Sequence, residues 1–370
     1  MTRVLFHDPY LEMLGGGEKF LLTILEEVAQ AGEHEVTMLS PARPDLVQWE
    51  RLNIHVDTRK LRWRAANQLS ITPLTVGADL FVTLTNHFPP LSLAKRSAAI
   101  VQFPFAQLSD GGRPVATLRA AERALRLRTY QRVICYSEYV ATEIRARLNV
   151  PHPVVIAPPV DLPVGPQVRA KERKVIAVGR FFPAADANNK KHALLIDAWR
   201  RLETFPEARG WELHLVGGVH KDDASLEHLE RLRERASGLA VHFHPNAEAG
   251  QLQSLYRNSS LFWHAAGFGE TLAERHEHFG TTTVEAMAYG CVPIVIGLGG
   301  QLEIVSDGLN GRLWHSADQL VAITRELIAD APQAGRLRRE AMSSSSRYGK
   351  DSFLHRIRET ILRPAGLCEA

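Results

Sequence analysis

Two doubly wound parallel α/β sheets are predicted by three features of the sequence: its length, an alternation of strand and helix patterns, and a restart of that alternation near the middle. At 370 residues the chain exceeds one ordinary core, and two domains of roughly 150 to 200 residues follow. Short apolar or β-branched runs ("TRVLF", "HEVTML", "ADLFVTL", "AAIVQF", "RVICYS", "VVIAPP") alternate with longer helical patterns, as a parallel sheet with crossover helices requires. After the Pro- and Gly-bearing stretch "APPVDLPVGPQVRAKER" the rhythm resumes with "KVIAVGR", "WELHLVGG", "VHFHP", "SLFWHA" and "CVPIVIG". The expected domains are residues 1–165 and 166–352, joined by a linker near residues 158–172. In such sheets ligands bind beyond the carboxyl ends of the strands, so functional motifs are expected just after strands, facing a central cleft.

Composition narrows the class. Hydrophobic residues make up 45% and charged residues 23%, ordinary for a globular protein, and no run approaches the ~18 apolar residues that a membrane span needs. The opening "MTRVLFHDPY" breaks its apolar run at His7 and Asp8, too early for a signal-peptide core. It reads as a first strand, and a cytoplasmic location is expected. Cys135, Cys291 and Cys368 lie far apart without CxxC spacing, which argues against a disulfide framework or a structural zinc site. A net charge of +3 from 44 basic and 41 acidic residues does not suit a general nucleic-acid binder. Two stretches are nonetheless strongly basic: "RKLRWR" at 59–64, and residues 113–132, with six arginines against Glu122.

Three motifs carry chemistry. In "LEMLGGGEKFLL" the glycines Gly15 to Gly17 precede Glu18 and an amphipathic pattern, bringing backbone amides to a helix N-terminus, where phosphate or carboxylate is favoured. A flexible loop would give the same triplet, and it matches neither GxGxxG nor GxxxxGK[ST]. In "VIAVGRFFPAADANNKKHALLIDAWRRL" a strand ends at Gly179, followed by Arg180 and then by Lys190 and Lys191 before a helix. Cations so placed suit a diphosphate, although a solvated basic turn has the same pattern, and the lack of an Asp-x-Asp pair speaks against a metal-held one. In "SLFWHAAGFGETLAERHEHFGTTTVEAMAYGCVPIVIG" strand, long loop, helix and strand succeed one another. A helix starting near Thr281 to Thr283 puts Gly280 and the threonine amides at its positive end, with Glu285 one turn inside facing the cleft and Glu277 in the loop before it. One carboxylate would then accept hydrogen bonds from sugar hydroxyls and the other from a ribose, with phosphate at the helix terminus.

"EHFGTTTVEAMAYG" resembles the signature of the retaining family 4 glycosyltransferases of the GT-B fold, two glutamates separated by seven residues. "GGQLEIVSDGLNGRLW" resembles the segment after that signature, "GRFFPAADANNKKHALLIDA" the diphosphate-binding Arg/Lys segment, and "GGGEKF" the N-terminal glycine loop. The resemblance implies a GT-B fold of two Rossmann-like domains: an acceptor-side N-terminal domain, a nucleotide-sugar-binding C-terminal one, and a helix over about 353–370 crossing back onto the first. It implies that Glu277 contacts hydroxyls of the donor sugar, with backbone amides around Phe279, Gly280, Thr281 and Thr282 near the sugar and phosphates. Glu285 would bind the ribose, Arg180 and Lys190 the diphosphate, and Gly16 and Gly17 would lie near the donor phosphates and the acceptor. Lys190 is preferred to Lys191 on its distance from "LLIDA".

One position departs from the pattern. Where many relatives carry a histidine after an N-domain strand, "AAIVQFPFAQ" offers Gln102, which can bind a hydroxyl but cannot share a proton. His87 in "TNHFPP" is a substitute candidate. His264, at a strand end facing the cleft, is a donor or acceptor contact; with His276 and His278 it invites a metal reading, but "HEHFG" is not HExxH, and no metal or other cofactor is expected. The arginine-rich segment reads as a helix with Leu118 and Leu125 seven apart and arginines at 119, 123, 126 and 128, suited either to anionic lipid headgroups, bringing a lipid-linked acceptor, or to solvent. The implied activity is transfer of a sugar from a nucleotide-diphosphate donor, GDP-mannose ahead of UDP-sugars, to a hydroxyl acceptor. The alternatives are a sugar-nucleotide-binding module without turnover and an epimerase acting on UDP-sugars.

Overall fold

The computed structural model describes residues 2–11, 15–32, 34–43, 45–50, 52–57, 59–86, 88–104, 112–165, 170–183, 186 and 189–368, the side chains of 68, 69, 112–117 and 120 excepted. The chain forms two compact units, Met1–Pro159 with Tyr348–Ala370, and Val160–Arg347.

The first unit is a seven-stranded sheet of β1 (Thr2–His7), β2 (His34–Ser40), β3 (Leu61–Ala65), β4 (Leu80–Thr85), β5 (Arg96–Val101), β6 (Arg132–Cys135) and β7 (Val154–Val155). Its order is β3-β2-β1-β4-β5-β6-β7, with every pairing parallel. The central strands are apolar on both faces: Val4, Leu5 and Phe6 of β1, and Leu80 to Leu84 of β4, are buried, as helices on both sides of a parallel sheet demand. The order reverses between β1 and β4, so their carboxyl ends form the topological switch point. β3 overlaps the run read from sequence as a basic patch, and "VVIAPP" contributes only two strand residues. Four of the five β3 residues are exposed, although Leu61, Trp63 and Ala65 alternate with Arg62 and Arg64 as in a strand.

The chain returns to this unit from Tyr348, through a helix over Lys350–Ile357 that widens to a π turn over Arg358–Leu362. Phe353 meets Phe20 of the helix Gly16–Gln30 edge-on, with ring centroids 4.7 Å apart. Lys350 Nζ donates to the buried Glu26 carboxylate at 2.6 Å.

The second unit holds β8 (Glu172–Val178), β9 (Glu212–Gly217), β10 (Val241–Pro245), β11 (Ser259–His264), β12 (Val292–Ile296) and β13 (Arg312–Trp314). The order is β10-β9-β8-β11-β12-β13, all parallel, with its reversal between β8 and β11. One sheet face, including Val175, Leu213, Leu261, Trp263 and Ile294, packs against Trp199 and Leu195 of the helix His192–Leu202 and Leu320 of the helix Ala317–Ala329. Trp263 keeps its buried indole N–H satisfied by donating to Thr324 Oγ1 at 3.1 Å. Among the described residues no helix is long and apolar enough to cross a membrane.

Candidate active site

The switch point of the second sheet gathers three of the residues singled out in the sequence. Lys190 Nζ donates to Glu277 Oε2 at 2.7 Å, and His264 Nε2 lies 3.0 Å from the same oxygen. Lys190 reaches it because its stem crosses Gly179 at the end of β8: a Cβ at position 179 would stand 2.5 Å from Lys190 Cγ. His264 closes β11 and is buried rather than open to solvent, its side chain 3% exposed. Burial would raise the Glu277 carboxyl, but the Lys190 ammonium and the His264 hydrogen bond hold it well below the usual carboxylate range.

The neighbouring cation takes a different partner. Lys191 Nζ donates to Glu270 at 2.5 Å, and Arg275 contacts that carboxylate at 3.2 Å. Lys191 also caps its helix with a left-handed backbone, φ 58°, stabilised by the Asn189 side chain, which accepts from the Lys191 N–H at 2.8 Å. Arg180 follows Gly179, its guanidinium over the Phe182 ring at 5.8 Å.

The helix Thr281–Ala288 starts where the threonine run suggests. Gly280 caps it at φ 118°, ψ 50°, a conformation that side chains disfavour, and the first N–H groups of the helix lack intrahelical partners. Against this end lies the amide of Gln301, fully buried, with neither its oxygen nor its nitrogen hydrogen-bonded within the protein. A Cβ at Gly280 would stand 2.7 Å from Gln301 Nε2. A buried amide without partners is costly, and beside a helix N-terminus it fits an anionic ligand with polar oxygens. The glycine pair of "GGQLEIV" locks this corner: Gly300 N donates to Glu277 O at 2.8 Å, and a Cβ on Gly300 would meet His278 O and Phe279 Cα at 2.6 Å. Phe279 itself is buried.

Glu285 sits one turn into the helix, as its position predicts, and is half-buried. The buried Tyr256 hydroxyl donates to Glu285 Oε2 at 3.0 Å. Glu277 and Glu285 thus have separate partners. Sequence reasoning missed Tyr256, in a helical stretch, and gave no role to Gln301 within "GGQLEIVSDGLNGRLW".

In the first unit, Gly16 and Gly17 form the first turn of the helix Gly16–Gln30, and the Gly15 N–H donates to Glu18 Oε2 at 2.6 Å. Gly17 faces Gln102, which directly follows β5: a Cβ there would stand 1.2 Å from Gln102 Nε2 and 3.2 Å from the Tyr136 hydroxyl. Asn86, just after β4, donates to Gln102 Oε1 at 2.6 Å. Asp8, just after β1, is fully buried and accepts from the Tyr10 N–H at 2.8 Å; burial, with the nearby Glu18 charge, raises its pKa to about 7. Asp8 was read only as the break in an apolar run, and Asn86 and Tyr136 escaped sequence reading because each follows a strand with no motif to mark it. His87 lies outside the described residues. The arginine-rich helix spans Gly112–Leu127; Leu118 and Leu125 are exposed, while Arg123 and Arg126 turn in over the Phe88 ring, so its basic residues do not all share the outer face.

Two family models match adjoining parts of the chain: Glycosyltransferase Family 4 over residues 14–163 and Glycosyl transferases group 1 over residues 164–344. A mannosylfructose-phosphate synthase of Agrobacterium fabrum is 37% identical over 140 residues, 36% of this chain and 27% of that protein. A GDP-Man:Man(3)GlcNAc(2)-PP-Dol alpha-1,2-mannosyltransferase of Dictyostelium discoideum is 26% identical over 215 residues, 54% of this chain and 40% of that protein. The match therefore spans less than half the length of either curated relative. The crystal structure of Anabaena HepE in complex with UDP and glucose superposes with a TM-score of 0.70 at 17% identity, covering 97% of this chain and 99% of that one. With both halves matched by glycosyltransferase models and the two-sheet architecture shared with such a structure, the chain belongs to the family 4 and group 1 glycosyltransferases of the GT-B fold.

Proposed function

We propose that the protein is a retaining, metal-independent glycosyltransferase that moves a sugar from a nucleotide-diphosphate donor, GDP-mannose first, to a hydroxyl acceptor. The observation that carries this reading is the Lys190–Glu277–His264 group, placed three residues ahead of the Gly280 helix end and its buried Gln301 amide. Arg180, Lys190 and the helix terminus supply positive charge to the departing diphosphate. Lys190 has three N–H groups and can serve Glu277 and a phosphate together. Glu277 and His264 orient the sugar hydroxyls, the amides of Phe279 to Thr282 approach the sugar and phosphates, and Glu285, braced by Tyr256, takes the ribose.

In the reaction the bond from the anomeric carbon to the phosphate oxygen breaks, its electron pair leaving with the diphosphate. The acceptor oxygen bonds to the same face of that carbon, and its proton passes to the departing phosphate oxygen. The protein contributes position and electrostatics. Gly16, Gly17 and Gln102 of the first unit are assigned to donor phosphates and to acceptor or sugar hydroxyls.

Mannose is favoured because both curated relatives are named for mannosyl transfer; a UDP-sugar is the next choice, since the HepE complex holds UDP. The PP-Dol compound in the second relative's name supports a lipid-linked acceptor ahead of a polysaccharide, and the exposed Leu118 and Leu125 would suit a peripheral contact with anionic membrane. A binding module without turnover is favoured by one observation, that Gln102, unable to carry a proton, takes the position after β5.

Thermal unfolding of the purified chain with GDP, UDP, ADP and dTDP tests the reading, because a ligand of the folded state raises the midpoint. Selective stabilisation by GDP, followed by mannosyl transfer from GDP-mannose with the α configuration kept, supports it. Stabilisation by UDP alone replaces the donor, and no shift with any nucleotide overturns it.

A further inference from the structure

A second cluster of ligand-type side chains lies at the edge of the second sheet, apart from the residues assigned to sugar transfer. β9 and β10 pair in parallel with His214 opposite His242, so the two imidazoles leave the same face of the sheet. Strand alternation adds Glu212, two residues before His214, and His244, two residues after His242. Glu212 Oε2 lies 3.1 Å from His214 Nε2 and 3.8 Å from His242 Nε2, and one ligand atom from each of the three lies within 4.8 Å of the others. Ligand atoms about 2.0–2.1 Å from a tetrahedral ion stand on the order of 3.4 Å apart, so ordinary side-chain adjustment brings the three into that geometry.

The surroundings are those of a ligand set. The far nitrogen of His214, Nδ1, lies 2.9 Å from His244 Nε2, the kind of outer hydrogen bond that fixes the ring of a metal-bound histidine. His214 is buried, whereas the side chains of Glu212 and His242 are 41% and 49% exposed, giving an anchored inner ligand and an open side for entry and for a water ligand. The nearest basic side chain on β8, Lys174, is paired with Glu172 at 2.5 Å. The cluster begins at the first residue of β9 and the second of β10, whereas Arg180, Lys190 and Glu277 follow the carboxyl ends of β8 and β11.

We propose that Glu212, His214 and His242 bind one divalent transition-metal ion of the zinc type, with His244 orienting His214. Two imidazoles and a carboxylate suit zinc, with copper and nickel as chemical competitors. The ion staples the outer strand β10 to β9 and takes no part in sugar transfer.

Titration of Zn2+ into the chelator-treated full chain, followed by calorimetry, tests the site, with Co2+ absorption reporting the ligands. One ion per chain is expected, with a higher unfolding midpoint when zinc is present. His242→Ala and Glu212→Gln should each weaken binding at least tenfold and abolish the midpoint shift, while His152→Ala, on the exposed surface of the other unit, should leave both unchanged. Unfolding midpoints in chelator that match the parent establish that these variants fold. Absence of saturable one-to-one binding, or binding undiminished in the His242→Ala/Glu212→Gln double variant, overturns the proposal.

Discussion

Lys190 Nζ and His264 Nε2 converge on a single oxygen, Glu277 Oε2, at 2.7 and 3.0 Å. The carboxylate is thereby held ionised in a half-buried position where burial alone would favour its proton. Its depressed pKa contributes stability that is present above the ordinary value near 4.5 and is lost as pH falls through the folded-state value. Lys190→Met should leave burial opposed only by His264, destabilise the protein by about 1–3 kcal/mol at pH 7, and flatten the loss of stability on acidification. Urea unfolding from pH 7 down to about pH 2 measures both effects; parallel pH dependences in parent and variant would show that the pair contributes nothing. Turnover with the donor should fall on the order of 100-fold, the scale of losing one charge-stabilising donor.

Gly17 and Gln102 make a complementary pair. A methyl group at position 17 would overlap the Gln102 amide nitrogen, but the amide is the far end of a flexible side chain and can swing away, breaking its 2.6 Å bond with Asn86. Gly17→Ala alone should therefore cost about 1–2 kcal/mol. In a Gln102→Ala background the same change should be neutral or stabilising by about 0.5 kcal/mol, because alanine suits a helix better than glycine. A double-mutant cycle by thermal or urea unfolding reads this change of sign, and simple additivity would refute the clash.

Asp8 gives the opposite pH signature to Glu277. Its pKa is raised from 3.8 to about 7, chiefly by burial and then by Glu18. The stability associated with its retained proton is complete below pH 3.8 and is lost as pH rises through about 7. Asp8→Asn should therefore match the parent near pH 4 and exceed it at pH 8, by at most about 4 kcal/mol at 1.36 kcal/mol per unit. Chemical unfolding across that range decides it; equal stabilities at pH 8 would mean that the carboxyl is not held protonated.

Much of this arrangement is legible in the sequence because each motif couples a strand end to a glycine or a helix start. Arg180, Lys190, Glu277 and Gly280 lie beside strand patterns strong enough to locate, and the threonine run marks the start of its helix. Most of what escaped depends on long-range contact. Tyr256 sits in an ordinary helical stretch and Gln301 in a segment identified only by resemblance, and each gains a role only when folding brings it against Glu285 or Gly280. β3 was missed because the charge of "RKLRWR" reads as a basic patch, although Leu61, Trp63 and Ala65 alternate with Arg62 and Arg64 as in a strand. The histidine pair across β9 and β10 was missed because register between strands is not written in either strand alone.

Two glycines near the Gly280 helix end separate crowding from backbone strain. Gly300 has ordinary backbone angles, φ −64°, ψ −14°, but a Cβ would stand 2.6 Å from His278 O and Phe279 Cα. Both are backbone atoms of the segment joining Glu277 to the Gly280 helix end, so no side chain can give way. Gly269 lies in the loop between β11 and that helix, at φ 73° with nothing within 4 Å of its would-be Cβ. Gly269→Ala should cost only the left-handed penalty of about 1–2 kcal/mol and leave nucleotide affinity unchanged. Gly300→Ala should cost at least about 3 kcal/mol and, by displacing the amides ahead of Thr281, weaken nucleotide-diphosphate binding at least tenfold. Unfolding free energies and nucleotide titrations on both variants provide the comparison. Equal affinity losses in the two would mean that the Gly300 backbone contact does not set the position of the helix end.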